Sequence, residues 1–285
     1  MFSLFKPANP IGIDFGKEVK LVQKQDESFL TRAKTELDKE LLEDFSKGPI
    51  VTAIRSDKIE IEFIDIDKKM DLEDIAKMVR LEFGDDSVVQ QEIIDGENER
   101  YVIAMAIAKA EIEARLNLCR ELALDLKVVE TEFHANVRYL YQQYSNLAGT
   151  NLILDIGSEI TNLIITINQE LRFIRVFNFG GDLITKKLAK INEISFAEAE
   201  EKKNNDLDKE ELKIILEELR SQIYHSIDYY QSKYKTEINR MFLTGSSAQL
   251  KGLKDYLEKQ IGIDTTIVAD PFFSVAKGLA MREID

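Results

Sequence analysis

Two aspartates in this chain close apolar runs and stand two residues ahead of a glycine: Asp14 in Gly12-Ile-Asp-Phe-Gly16 and Asp155 in Leu152-Ile-Leu-Asp-Ile-Gly157. A few polar residues and a second β-rich run follow each, residues 19–23 and 163–167. The pattern reads as a strand, a tight turn and a returning strand, with glycine giving the turn its small profile and its freedom in φ. Backbone N–H groups exposed by such a turn form a concavity for phosphate oxygens. A carboxylate at the strand end suits Mg²⁺, which keeps most of its waters and takes one or two carboxylates. Two such hairpins at corresponding places predict a cleft that grips a nucleotide's phosphates from both sides. Asp14 and Asp155 are the candidate Mg²⁺-side carboxylates, acting through water. Gly16, Lys17 and Gly157 belong to the candidate phosphate loops. The hydroxyls of Ser158 and Thr161 either donate to phosphate or bond their own backbone. Gly180 and Gly181 either let an anion approach a helix N-terminus or only make a strand-to-helix turn.

The chain has 285 residues, enough for two domains at about 100–200 residues each. Its net charge of −14 argues against a nucleic-acid partner, which calls for a basic patch. One cysteine, Cys119, rules out an internal disulfide and a cysteine metal cluster, and its leucine neighbours on a helical pattern predict a core position. No apolar run approaches the roughly 20 residues of a membrane helix, and neither a secretory signal nor a C-terminal amphipathic anchor is recognisable. A cytosolic protein that reaches a membrane only through a partner is expected.

Strand and helix patterns alternate along the chain, so the class is α/β with two related halves. The first half reads as strands at 50–55 and 59–65, an amphipathic helix at 72–83 behind the N-cap Asp71, a turn at 95–98 and a strand at 101–107. A helix at 109–124, a strand at 127–130 and a helix at 132–144 follow, and 146–150 reads as the link between halves. The second half adds a strand at 172–177 and helices at 183–191, 196–203 and 209–233. Strands at 241–244 and 265–268 alternate with helices at 248–261 and 274–282. His134 and His225 have no ligand partner nearby in sequence, and Glu132 reads as an N-terminal helix carboxylate or as a group that orients a water.

These residues resemble the actin-like ATP-binding superfamily, which carries two phosphate hairpins, a glycine-rich helix start and a late adenosine motif in that order. Asp14-Phe-Gly16 is similar to the first phosphate segment, Asp155-Ile-Gly-Ser158 with Thr161 to the second, and Leu243-Thr-Gly-Ser-Ser-Ala-Gln-Leu250 to the adenosine motif. Within the superfamily the chain resembles the PilM family of type IV pilus assembly. The likeness rests on Met1-Phe-Ser-Leu-Phe5 before Gly12-Ile-Asp14, Val19-Lys-Leu-Val-Gln23, Phe177-Asn-Phe-Gly-Gly-Asp-Leu-Ile-Thr185, Ala199-Glu-Glu-Lys-Lys203 and Ser274-Val-Ala-Lys-Gly-Leu-Ala280. Residues 29–49 have no clear counterpart.

The resemblance implies an actin-like two-domain fold of duplicated sheet-plus-helices halves with an inserted α/β subdomain. The expected N-terminal half is 1–148, with the insert at about 70–130, and the C-terminal half is 149–285. The resemblance further implies ATP with Mg²⁺ as cofactor, Glu200 and Lys203 at the ribose or base, and Gly245, Ser246 and Ser247 beneath the base. By spacing alone, Glu200 and Lys203 are an exposed i,i+3 ion pair. The implied partner is the cytosolic N-terminal tail of a PilN-like inner-membrane protein, bound in a groove between subdomains. Other pilus assembly proteins are expected as partners and self-association is left open; direct membrane insertion is not expected. Two departures weaken ATP binding and leave at most slow hydrolysis. The first turn, Gly16-Lys-Glu-Val19, is about one residue short and lacks a hydroxyl, and the adenosine motif reads Gly245-Ser246 where the family has two glycines. The alternatives are a small kinase of the superfamily, an FtsA-like division protein or a type II secretion component.

Overall fold

The computed structural model describes residues 9–96, 100–205 and 207–284. The chain opens with β1 (Ile11–Phe15), β2 (Val19–Gln25), β3 (Ser28–Lys34), the short helix α1 (Lys39–Leu42) and β4 (Ile50–Ile54). It continues through β5 (Ile59–Asp65), α2 (Leu72–Phe83), β6 (Ser87–Asp95), β7 (Arg100–Ala108), α3 (Lys109–Glu121), β8 (Leu126–Thr131) and α4 (Glu132–Gln143). The second half holds β9 (Thr150–Ile156), β10 (Thr161–Ile167), β11 (Glu170–Phe177), α5 (Gly181–Asn192), α6 (Phe196–Asn205) and α7 (Lys209–Tyr234). Strand β12 (Arg240–Thr244), helix α8 (Leu253–Ile261), strand β13 (Thr265–Ile267) and helix α9 (Ser274–Ala280) complete it.

The duplication is explicit in the strand order. One sheet runs β3-β2-β1-β4-β8 and the other β11-β10-β9-β12-β13. In each, two antiparallel pairs start from the middle strand and two parallel pairings extend its other side. Because β1 and β9 are central, both are buried along almost their whole length; β1 is apolar but for Asp14, and β9 is apolar but for Thr150 and Asn151 at its start and Asp155 near its end. Both aspartates therefore leave the sheets at the same end.

A third sheet, β5-β7-β6, is inserted between β4 and α3. Its middle strand β7 is apolar on both faces because each face is covered. Val102 and Ala104 meet Ile75 and Val79 of α2, while Tyr101, Ile103 and Met105 join a core with Phe133 and Leu140 of α4. The third sheet and α2 together run over 59–108, while β8 hydrogen-bonds to β4 as the fifth strand of the first sheet. Sequence periodicity misses β3 and β6, both sheet-edge strands with mixed exposure that carry little alternation. Strand β3 with α1 also gives residues 29–49 a structure. The expected turn at 95–98 falls partly, and the opening Met1–Phe5 motif wholly, outside the described residues.

The boundary at 149 is crossed at the far end of the chain. Helix α9 packs on β1, β2 and α4 of the first half, not on the second sheet. Small residues make this possible: a Cβ on Gly278 would stand 2.0 Å from the Ala135 carbonyl oxygen, and one on Gly12 would stand 2.2 Å from that of Ala276. Both obstructions are backbone atoms, so neither site can relax cheaply. Gly278→Ala is expected to destabilise the fold by about 2 kcal/mol or more, in the range of overpacked cores, read by urea unfolding. An unchanged midpoint would mean that α4 and α9 do not pack this tightly.

Candidate functional site

The turns after Asp14 and Asp155 face one another across a cleft of about 550 Å³ between the halves, within the about 300–1,000 Å³ usual for small-molecule sites. Every candidate residue from the sequence lines it except Thr161 and Gly180. The hairpin registers explain how it is built. Asp14 stands directly opposite Lys20 across β1–β2, and Asp155 directly opposite Asn162 across β9–β10. Residues 16–18 lie between the last paired residues of the first hairpin, Phe15 and Val19, whereas residues 157–160 lie between Ile156 and Thr161 of the second, so the first loop is the shorter.

Three carboxylates converge at the floor. Asp14 pairs with Lys20 at 3.0 Å. Asp155 accepts from Asn136 Nδ2 at 2.9 Å and from Asn162 Nδ2 at 3.2 Å. Glu132, the first residue of α4, accepts from the Ser56 N–H at 3.0 Å and from Asn162 at 3.4 Å. Burial raises the Glu132 carboxyl to about 7, reinforced by the negative charges of Asp14 and Asp155 and opposed by the Ser56 hydrogen bonds. Burial also pushes Asp155 up, against the hydrogen bond from Asn136 and the charge of Lys20. Burial lowers the Lys20 ammonium, but Asp14 outweighs it and the net direction is upward.

The floor fits a hydrated divalent cation. The Oδ1 atoms of Asn136 and Asn162 are buried with no hydrogen-bond partner, beside the three carboxylates. A cation with water ligands would meet such oxygens. Among the described residues no group of three or more His, Cys, Asp or Glu side chains is placed to hold a metal directly. Asp14, Asp155 and the amide oxygens would therefore hold Mg²⁺ through its waters, and ATP phosphates would lie between the two turns.

Several expectations need correction. The Thr161 hydroxyl donates to the Phe179 carbonyl at 2.6 Å and is fully buried, so it serves the sheet and not a phosphate. The N–H groups of Gly181 and Asp182 at the start of α5 are taken by the carbonyls of Gly157 and Ser158, at 2.9 and 2.8 Å, which removes them as anion donors. Gly180 has a structural role: a Cβ there would come within 2.5 Å of the Ser158 backbone. Lys17 pairs with Asp182 at 2.8 Å. Glu200 and Lys203 are not an exposed pair. Lys203 is buried, and its ammonium also bonds Thr185 Oγ1 at 2.8 Å and the Gly181 carbonyl at 3.3 Å. Gly245 adopts φ +90°, and a Cβ there would stand 2.4 Å from an Asp155 carboxylate oxygen, so this glycine brings the adenosine-motif strand against the floor. Ser246 is exposed on the lining, and the Ser247 hydroxyl donates to the Gly157 carbonyl at 3.1 Å.

Sequence reasoning misses Lys20, Arg55, Asn136 and Asn162, and reads Glu132 first as a helix-end carboxylate. A signal for Lys20 and Asn162 exists, since pairing each hairpin in register sets them opposite the aspartates. Asn136 and Glu132 share one face of α4 at i,i+4, but nothing local in sequence aims that face at β9.

A second concavity of about 870 Å³ lies away from the cleft, lined by Glu92 and Asp95 of β6, His134, Arg138 and Tyr141 of α4, and the start of β11 with Glu170 and Arg172. His134 faces Glu92, and the outer edge of β6 has no strand partner among the described residues. Helix α4 thus borders both concavities, through Glu132 in the cleft and the next three turns in the groove.

Comparison with known proteins gives a consistent result. The sequence profile of the family described as type IV pilus assembly protein PilM matches residues 77–284. No curated protein matches the chain. Among solved structures, a PilM-PilN type IV pilus biogenesis complex superposes with a TM-score of 0.81 at 20% identity, covering 96% of this chain and 98% of that one. The ethanolamine utilization protein EutJ of Carboxydothermus hydrogenoformans follows at 0.61 and 15%, covering 97% and 90%. MreB 5 of Spiroplasma citri bound to AMPPNP gives 0.59 at 14%, covering 95% and 94%. At these identities the structures establish the actin-like fold. Among the described residues no helix is long and apolar enough to cross a membrane.

The Glu132 carboxyl generates a pH prediction. With its folded value raised to about 7, the group supports the fold fully below its unfolded value, and this support is lost as pH rises through 7. Glu132→Gln removes the titration. Its stability relative to the parent is expected to improve by on the order of 3 kcal/mol between pH 5 and pH 8, measured by urea unfolding at each pH. A difference that stays constant with pH would show that Glu132 is not buried among like charges.

Proposed function

The chain belongs to the PilM family of type IV pilus assembly proteins, and from that premise we propose that it is a cytoplasmic scaffold, held at the inner membrane by gripping the cytosolic N-terminal tail of a PilN-like protein. Mg-ATP is the conformational ligand of the cleft, favouring one arrangement of the halves over the other. The observation that carries the reading is that α4 joins a nucleotide-sized, carboxylate-floored cleft to a separate concavity. A scaffold whose grip responds to a nucleotide needs two such sites on one element.

The groove suits an extended peptide. The free edge of β6 offers backbone hydrogen bonds, and side-chain pockets beside it would choose the sequence. Glu92, Asp95 and Glu170 share its walls with Arg138 and Arg172, and His134, Arg100 and Arg172 already face those carboxylates, so the groove offers a segment partners of both signs. Turnover is at most slow in this reading. The first phosphate loop has no hydroxyl, and Glu132, the group best placed to orient a water, is half protonated near neutrality.

A synthetic peptide of the PilN-like tail is expected to bind with one-to-one stoichiometry in calorimetry. Tyr141→Ala and Glu92→Lys should each weaken binding at least about tenfold, the cost of losing a residue at the centre of an interface. No binding heat with or without Mg-ATP would overturn the reading, and full binding by both variants would move the tail elsewhere.

A further inference from the structure

The second concavity is walled by two different parts of the fold. Residues 92–95 of β6 belong to the inserted sheet, Glu170 and Arg172 open β11 of the second half, and α4 supplies the floor. Among the described residues no strand pairing joins these two sheets: β6 is an edge of one and β11 an edge of the other. The spacing of the walls is therefore left to side chains.

Those side chains form an aromatic seam behind the concavity. Tyr101 of β7 stands opposite Ile94 of β6 in register, and its hydroxyl donates to the Arg172 carbonyl at 2.9 Å. One residue thus neighbours the first wall and bonds the backbone of the second. Its ring meets Tyr234 of α7 at 5.2 Å, and Phe63 of β5 meets Phe173 of β11 at 5.2 Å. Tyr230 continues the seam, 4.9 Å from Tyr234 and 5.8 Å from Phe173. At the exposed rim Lys233 pairs with Asp65 at 3.2 Å. Ring pairs are satisfied over centroid separations of about 4.5–7 Å, but an O–H···O bond only over about 2.5–3.0 Å. The rings hold the parts together, and the hydroxyl chooses one spacing within the latitude they leave. Tyr101 is buried, and that burial, reinforced by Tyr234 and Tyr230, pushes its phenol far above the ordinary range, so the hydroxyl stays a donor.

We propose that Tyr101 is a positioning residue for the concavity: its bond to the Arg172 carbonyl fixes the spacing of the β6 and β11 walls before a peptide arrives. A segment that touches both walls gains from this, because a spacing set in advance spares binding the cost of arranging it. Without the bond only a fraction of molecules hold the walls at the binding distance, and apparent affinity falls by that fraction. Contact residues behave differently, since their loss shows mainly in the dissociation rate. The proposal rests on the tail-peptide reading of the concavity for its effect on binding, and on geometry alone for the spacing.

Tyr101→Phe keeps the ring and removes the bond. Spin labels at Ala76→Cys on α2, which packs on the inserted sheet, and at Arg175→Cys on β11 report the spacing by pulsed EPR. Both positions are exposed and outside the concavity, and native Cys119 is buried and does not label. The Tyr101→Phe protein is expected to show a broader distance distribution than the parent, narrowed again by a saturating synthetic tail peptide. Asp65→Asn loosens the same seam from its exposed rim without touching the core, and is expected to broaden the distribution in the same direction. Distributions identical to the parent's would overturn the proposal. Stopped-flow mixing with the same peptide is expected to give Tyr101→Phe an association rate about three- to tenfold slower, with dissociation within about twofold of the parent. A loss carried instead by faster dissociation would make Tyr101 an ordinary support of the contacts and overturn its positioning role. If the peptide binds neither protein, the tail reading falls, while the distances still decide the spacing.

Discussion

The burial of Asp14, Glu132 and Asp155 against one another is the constraint around which the two halves are arranged. Like charges in a poorly solvated floor repel strongly, and each must be offset by a partner brought from elsewhere in the fold. Lys20 comes from the returning strand of the first hairpin, Asn162 from that of the second, Asn136 from α4, and the Ser56 backbone from the end of β4. Those partners fix the relative position of both sheets and of the helix between them. The residual negative charge and the unsatisfied amide oxygens leave the floor ready for a cation.

The halves are not independent bodies joined at one link. Helix α4 leaves the first sheet and lies against β9 and β10, and α9 returns from the second half to pack on β1, β2 and α4. Phe133 and Leu140 of α4 share a core with β7 of the insert and with Ile153 and Ile164 of the second sheet. A change at the cleft therefore reaches the insert and the groove beside β6 through one packed helix.

The duplicated hairpins, the apolar middle strands and the long stripe of α7 were legible from sequence because each has a strong local period or a repeated motif. The order of motifs then sufficed to identify the family. Edge strands β3 and β6 were not legible, since half-exposed strands need not alternate. The site was half legible. Asp14, Asp155 and Gly245 follow from motif and turn chemistry, but the fate of Thr161 and of the α5 N–H groups depends on which atoms lie across the turn, and a turn sequence does not state that. Lys17 reads as part of the first phosphate loop and Arg55 only as the end of a strand, and their ion-pair partners are 165 and 104 positions away. Long-range pairing of this kind is set by topology, so the strand order had to be known first.

The most direct test of the account is titration of a fluorescent ATP analogue with and without Mg²⁺, on the parent protein and on Asp14→Asn and Asp155→Asn. Saturable binding that requires Mg²⁺ and is lost or weakened by at least about tenfold in each variant is the predicted result, as expected when a carboxylate that orders a metal is neutralised. Binding indifferent to Mg²⁺ and to both substitutions would contradict it, because the carboxylate floor would then have no part in holding the ligand.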